Sequence, residues 1–422
     1  MHQAPACHPR TPSHQCPSLG PRSHRTAGLG KALLLIVAAG CHDAQVAPSS
    51  LPSGGLQELL DRERAAVGAP GAILGLARGA MPATVVASGL ADREQGTPMR
   101  PDTPYFLGSI SKTYTAATVL RLAEEGRLSL DQPLSRTLPD FPRGAEITLR
   151  QLLAHTSGLK DFYTYLYYRP DREEMIELVT RDWSEPELLA LAGRFGHWFE
   201  PGTDWDYSNT NYYLLGVVIE RAAGVPLEQA YRRYLYQPLS LERTWLSWHE
   251  EPRGVLPVGY MGPLEGWKHS EMFGTLGPTS QLDRSPVEWG AGGIAAPAAE
   301  ALRFLRGLLA GQLLAPSSLA EMTRFRDTPT LGMAETKPNP HAPPDGYGLG
   351  LVRMERAGHT VIGHGGLFTG HTAGLWHLPA CDLTLALYFN RGFVNQREVL
   401  NRLLPALTQG CPAHPAPPHS RD

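Results

Sequence analysis

Lysine is nearly absent from this chain of 422 residues: only Lys31, Lys112, Lys160, Lys268 and Lys337 occur, against many arginines. Metal-type spacings are missing as well. There is no C-x-x-C and no H-E-x-x-H, which removes the usual zinc-site patterns. The sixteen histidines are scattered, several of them near the two ends. Net charge is small, formally −3, so neither nucleic acid nor an anionic membrane surface is an expected partner. No segment repeats internally. What the chain does hold is enough apolar residues, 42% of the total, for a substantial core. Its length suits one large domain or two.

Near the start, KALLLIVAAGC from Lys31 to Cys41 is a short apolar stretch behind a basic residue. It is too short to cross a bilayer and has the form of a signal-peptide hydrophobic region. Its end, Ala38-Ala39-Gly40-Cys41, resembles the bacterial lipobox, whose cysteine is lipidated and becomes the mature N-terminus. Here alanine stands at the first box position, where leucine is commoner. Lipidation at Cys41 and ordinary signal-peptide cleavage are the two readings. Residues 1–41 are therefore expected to be a leader and the Pro/Ser/Gly-rich residues 42–55 a tether, which makes the protein exported, either periplasmic or membrane-anchored. Beyond Cys41 only Cys381 and Cys411 remain, a pair able to bridge in an oxidising compartment at a distance the sequence does not give.

Periodicity places a helix from about Leu56, strands at Ala72–Ala77 and Thr84–Ser88, and a helix opening at Ser109 and ending at Gly126. Helices are expected at 148–154, 172–180, 185–193, 211–223 and 226–235, within a helical lobe of about 128–245. Residues 249–290 read as an irregular insert. A helix at 297–310 comes before strands at 347–353, 359–363, 371–377 and 383–390, the third broken by Gly374, and a last helix at 395–409. Strands at both ends of the chain with helices between them imply an α+β fold. Its antiparallel sheet is built from both ends and flanked by helices. The domain spans 56–409, and the proline-rich tail 410–422 reads as disordered.

Ser109-Ile110-Ser111-Lys112 carries the chemistry. Positions i and i+3 share a helix face, so Ser109 Oγ and Lys112 Nζ can meet, and a hydroxyl becomes a useful nucleophile when a neighbouring base takes its proton. Ser111 points to another face. The same spacing recurs at Ser157-Gly158-Leu159-Lys160, but Gly158 places that serine in a turn closing a helix, so the second copy reads as structural. At a helix N-terminus, Ser109 also has free backbone N–H groups to meet a developing oxyanion.

Two more elements complete a site. Tyr207-Ser208-Asn209 supplies a phenol driven towards phenolate by a nearby ammonium, able to take and return a proton. It also supplies an amide able to hold both the lysine and a substrate carbonyl. Tyr388-Phe389-Asn390 has the same spacing but ends the apolar run LTLALYF, which suits strand packing. In His364-Gly365-Gly366 the glycines allow close backbone approach. The N–H of Leu367 joins that of Ser109 as the second oxyanion donor, and His364 is placed to recognise an anionic or polar substrate group. Asp161 to Tyr168 brings five aromatics, equally suited to an acyl pocket or to packing, and Trp267 and Trp289 could cap the cleft.

With Ser-x-x-Lys, Tyr-x-Asn and a His-x-Gly strand in that order, the chain resembles the serine β-lactamase and penicillin-binding superfamily. The branch it looks most like holds class C β-lactamases and D-alanyl-D-alanine carboxypeptidases, together with esterases and D-aminopeptidases. Phe106-Leu107-Gly108-Ser109, Leu152 to Leu159, Pro201-Gly202 through Asn209 to Gly216, Gly290 to Ile294 and Tyr347-Gly348-Leu349-Gly350 extend the resemblance over roughly residues 55–408. It implies Ser109 as acylated nucleophile, Lys112 as its activator and Tyr207 as general base and acid. Asn209 becomes a positioning residue, and His364 with Gly366 the third box. No metal or cofactor is implied, and the partner is a small-molecule or peptide substrate. Histidine where β-lactamases carry lysine removes a permanent cation for a carboxylate, and no glutamate stands out to activate a deacylating water as in class A enzymes. The expected function is thus an exported serine hydrolase acting on D-amino-acid peptides or small esters. The alternatives are a true β-lactamase and a non-catalytic penicillin-binding or sensor domain.

Overall fold

The computed structural model describes residues 53–162, 181, 183–262, 277–278, 288–328 and 344–411. The expected leader with Cys41, the aromatics from Tyr163 to Tyr168, the helix at 172–180, Trp267 and the tail after Cys411 lie outside the described residues.

Both ends of the chain meet in one sheet. From the first part come β1 (Gly71–Arg78), β2 (Thr84–Asp92) and the two-residue β3 (Thr97–Pro98). From the last part come β4 (Arg326–Asp327), β5 (Gly346–Tyr347), β6 (Val352–Arg356), β7 (His359–Phe368), β8 (His371–Leu378) and β9 (Leu383–Phe389). The order is β3-β2-β1-β9-β8-β7-β6-β5-β4, antiparallel at every step. The seam is β1 against β9, with Ile73 opposite Tyr388 and Leu74 opposite Leu387.

Alternation along β9 fills two cores. Leu383, Leu385, Leu387 and Phe389 pack with α1 (Ser53–Ala66) and with Val399, Leu400, Leu403 and Leu404 of α7 (Gln396–Leu407). Ala386 and Tyr388 point the other way, into the larger core shared with the remaining helices. Because both faces are covered, LTLALYF is apolar but for Thr384, whose hydroxyl meets His377 Nδ1 at 3.0 Å, instead of alternating with polar residues. Asn390 ends that strand by accepting from Gly71 N–H at 2.5 Å and donating to Leu90 O at 3.0 Å, a structural use. Cys381 and Cys411 are bridged, with Cα atoms 5.3 Å apart.

On the larger core's side lie α2 (Ser111–Glu124), α3 (Leu149–Leu153), α4 (Glu185–Arg194), α5 (Asn209–Ala223) and α6 (Ala298–Leu309). Helix α2 is buried on nearly every side. Its threonines survive there because each hydroxyl is bonded: Thr113 donates to Gly350 O at 2.7 Å, Thr115 to Gly290 O at 2.6 Å and Thr118 to Tyr114 O at 3.0 Å. Left without partners, each would cost about 1–3 kcal/mol.

Three strand expectations change. The strand expected at 359–363 continues to Phe368, so His364-Gly365-Gly366 lies within β7. The run expected at 347–353 divides into β5 and β6, because Gly348 to Leu351 leaves the sheet to cross Met322 and α2. Leu349 N–H donates to Met322 O at 3.0 Å, and a Cβ on Gly350 would stand 2.9 Å from Lys112 O. Gly374, by contrast, does not break β8. It pairs with Gly365 in register, and the space above it is taken by Gln396, whose Oε1 would lie 2.3 Å from a Cβ there.

Candidate active site

Ser109 sits in a 3₁₀ turn, Gly108–Ile110, that runs directly into α2. The serine is half-buried, whereas Lys112 one turn on is fully buried. Lys112 Nζ lies 3.0 Å from Ser109 Oγ, 2.7 Å from Asn209 Oδ1 and 2.8 Å from Ala291 O. An amide oxygen and a main-chain carbonyl only accept, so a neutral amine gives them its two hydrogens and turns its lone pair to the serine hydroxyl. The amide of Asn209 is itself held the right way round, because its Nδ2 donates to Asp161 Oδ2 at 2.9 Å. Burial lowers the Lys112 pKa to about 8, against the opposing charges of Glu288 and Asp161. Ser111 is committed elsewhere, accepting from Ile294 N–H at 3.0 Å.

Tyr207 comes from the loop before α5, and its ring lies 5.0 Å from Lys112 Nζ. Its hydroxyl is buried and completes no hydrogen bond, although Ser109 is close enough to act on its ionisation. Burial, with Tyr347 adding to it, pushes the phenol pKa well above its ordinary value, while Ser109 works in the opposite sense. At rest Tyr207 is a phenol, not the phenolate expected from its neighbouring lysine.

Gly366 on β7 touches the serine turn. A Cβ there would stand 1.9 Å from Leu107 O and 3.4 Å from Ser109 N, and one on Gly108 (φ +52°) would stand 2.8 Å from Leu367 N. The serine turn and β7 are therefore in main-chain contact beside Ser109 and Leu367, whose N–H groups are the expected oxyanion donors. His364 is brought to the same cleft but is buried, at 4% exposure. Its Nδ1 is 2.5 Å from Gly365 O and its Nε2 is 3.2 Å from Tyr347 Oη. Burial and the Lys112 charge lower its pKa to about 3. Both ring nitrogens thus meet protein atoms and burial disfavours a charged ring, an arrangement unlike the direct recognition of an anionic or polar substrate group expected for His364.

The second Ser-x-x-Lys has a different environment. Ser157 Oγ donates to Asn211 Oδ1 at 2.6 Å, and Lys160 Nζ lies over the Trp198 ring at 4.5 Å. Trp289 packs on α5, where a Cβ on Gly216 would stand 2.8 Å from its ring. Among the described residues no group of three or more His, Cys, Asp or Glu is placed to hold a metal ion.

A family model described as Beta-lactamase matches residues 56–409. The chain belongs to the Beta-lactamase family. Among similar proteins in this family's range, Esterase EstB of Burkholderia gladioli is 35% identical over 274 residues, 60% of this chain and 68% of that one. The putative penicillin-binding protein PbpX of Bacillus subtilis is 29% identical over 280 residues, 65% of this chain and 64% of that one. The structure of D-amino acid amidase from Ochrobactrum anthropi SV3, complexed with L-phenylalanine amide, is similar with a TM-score of 0.72. It is 26% identical, covering 85% of this chain and 98% of that one. The β-lactamase-family chain described here is a serine hydrolase.

Sequence reading missed three contributors to this β-lactamase-family site. Asp161 was visible only as the start of an aromatic run, Glu288 lay in the aperiodic insert, and Ala291 acts through its carbonyl, which no side-chain pattern reveals. Glu288 is buried and lies against Gly292, where a Cβ would stand 2.0 Å from its Oε2. Its charge favours the ammonium form of Lys112; with the amine as the form that takes the serine proton, as proposed below, hydrolysis is expected to rise with pH through about 8. In Glu288→Gln that support for the ammonium is lost, the lysine pKa falls further, and the acid limb of the kcat/KM profile moves to lower pH. A midpoint that stays put or moves up would show that Lys112 does not set this limb.

Proposed function

We propose that this protein hydrolyses esters or amides through an acyl-enzyme on Ser109, with D-amino-acid peptides and small esters as its substrate classes. The observation that carries this reading is the three-way placement of Lys112 Nζ between Ser109 Oγ, Asn209 Oδ1 and Ala291 O. The Ser109 hydroxyl gives its proton to Lys112 as Oγ attacks the acyl carbon, and the oxyanion faces the N–H groups of Ser109 and Leu367. Tyr207, a phenol at rest, protonates the departing oxygen or nitrogen and recovers its proton from the Lys112 ammonium. Water then enters by the same route in reverse and releases the acid. Asn209 keeps one amide hydrogen beyond the one given to Asp161, and this meets the substrate carbonyl.

The esterase and the D-amino acid amidase among the similar proteins support esters and amides over β-lactams, and so does a neutral histidine in the third box. The Cys381–Cys411 bridge supports an oxidising compartment, and with the leader ending at Cys41 it favours an exported, lipid-anchored protein. Incubating the mature protein with an activated ester and, separately, a fluorescent penicillin, while following adduct mass with time, tests the reading. Transient acylation of Ser109 by the ester and at most slow turnover of the penicillin are expected. Rapid penicillin turnover would mark a β-lactamase. No adduct from either reagent, with Ser109→Ala indistinguishable, would mark a non-catalytic domain.

A further inference from the structure

Three aromatic side chains far apart in sequence, His155, Tyr347 and His364, meet end to end beneath the cleft. His155 lies in the turn after α3, at φ +58°, Tyr347 on β5 and His364 on β7. All three are buried. His155 Nδ1 is 3.2 Å from Ser208 N and 3.1 Å from Asn211 Nδ2. His155 Nε2 is 3.2 Å from Tyr347 Oη, which is 3.2 Å from His364 Nε2. The chain ends at His364 Nδ1, 2.5 Å from Gly365 O.

Its two ends fix which nitrogen of each histidine ring carries the proton. A main-chain N–H only donates, so His155 Nδ1 accepts from Ser208. The Asn211 amide agrees, since its oxygen already accepts from Ser157 and its nitrogen is left to donate. The neutral His155 ring then carries its proton on Nε2 and donates to Tyr347. At the other end a main-chain carbonyl only accepts, so His364 donates from Nδ1 and its Nε2 is a bare lone pair, taken by the Tyr347 hydroxyl proton. Tyr212 donates its own proton to Leu153 O at 2.7 Å, so its oxygen is a second acceptor for the Tyr347 hydroxyl beside His364 Nε2.

We propose that His155, Tyr347 and His364 form one hydrogen-bond chain of fixed direction, in which His364 positions the Tyr207 loop against the strand bearing Gly366 and contacts no substrate anion. Ser208, the chain's first donor, lies between Tyr207 and Asn209, and Gly365, its last acceptor, adjoins Gly366. The chain therefore sets the spacing between the proton carriers and the oxyanion donors. The titratable groups facing His364 are Lys112 from α2, Tyr207 from the loop before α5 and Tyr347 from β5. None is an anion at rest that would recruit a second proton to the ring. The inference rests on the hydrolase reading only for its consequence: a carboxylate on the leaving group gains nothing from His364, so uncharged leaving groups are accepted equally.

The first test reads ring nitrogens directly and does not depend on turnover. In protein labelled with ¹⁵N-histidine, two-bond ¹H–¹⁵N spectra are expected to show His155 protonated at Nε2 and His364 at Nδ1, with His364 unchanged between about pH 5 and pH 9. A His364 protonated at Nε2, or titrating within that window, overturns the chain. For function, Tyr347→Phe is expected to lower kcat by roughly tenfold to a hundredfold with KM little changed, as misplacement without lost contact does. An unchanged kcat refutes the positioning role. Finally, two donors with the same acyl group, one with a carboxylate on the leaving side, should keep a constant kcat/KM ratio between about pH 5 and pH 7. Over that range Lys112 keeps its proton, so a ratio favouring the carboxylate about tenfold more at the acid end would mean that His364 binds it.

Discussion

Lys112→Met is expected to lower kcat/KM for an activated ester by about 10³–10⁴, equivalent to roughly 4–5.5 kcal/mol of transition-state stabilisation. Methionine fills much the same buried slot, but its thioether sulfur is not basic enough to take the serine proton. It also leaves Asn209 Oδ1 and Ala291 O, which face Nζ at 2.7 and 2.8 Å, without their donor. Those unpaired acceptors cost about 1–3 kcal/mol each. The loss is offset because an amine whose pKa burial has already lowered no longer has to be held out of water. A folded protein with a thermal midpoint near that of the parent is therefore expected, alongside the collapse in rate. Steady-state rates, the mass of any Ser109 adduct and a melting curve on the same preparation check this. A loss smaller than tenfold would move the base to another group, with Tyr207 the first candidate despite its raised pKa.

Gly366→Ala is expected to cost about 10²–10³ in kcat. The added methyl would lie 1.9 Å from Leu107 O and 2.9 Å from Leu107 C, and both are main-chain atoms with no rotamer to relieve the contact. Either β7 or the serine turn must shift, and the N–H groups of Ser109 and Leu367 then no longer converge on one oxygen. Because the damage falls on the oxyanion, which exists only in the transition state, KM should change far less than kcat. Pre-steady-state acylation with the ester gives the direct measurement. A kcat within about threefold of the parent would mean that the oxyanion is held elsewhere.

How much of this was legible in the sequence depended on whether a neighbour in space was also a neighbour in pattern. Ser109 and Lys112 are three apart on one helix, and Tyr207 and Asn209 share a tripeptide, so local geometry sufficed. The sheet built from both ends followed from two apolar runs at the start and four at the end. Nothing local links Asp161 to Asn209, or Glu288 to Lys112, because each pair is far apart in sequence and meets only in the folded chain. His364 illustrates a different limit. A histidine in a glycine-rich strand can be located from sequence, but its role depends on what its two nitrogens touch, and the Nε2 partner, Tyr347, lies on another strand. The split between β5 and β6 was hidden for the same reason: Gly348 to Leu351 answers to Met322 and α2 rather than to the strand it interrupts.

The β1–β9 seam has a consequence for synthesis. Ala72 pairs with Phe389, roughly 300 residues later, so at translation rates of about 5–20 residues per second the first core strand stands without its partner for tens of seconds. Throughout that time Gly71–Arg78 presents one unpaired edge and an apolar run, the combination most prone to wrong pairing. The nascent chain cannot shelter the strand by completing a local unit, because the sheet closes only when the last strand arrives. Folding of this hydrolase is therefore bound to completion of the whole chain, and chaperone demand should fall on the growing chain before β9 is made.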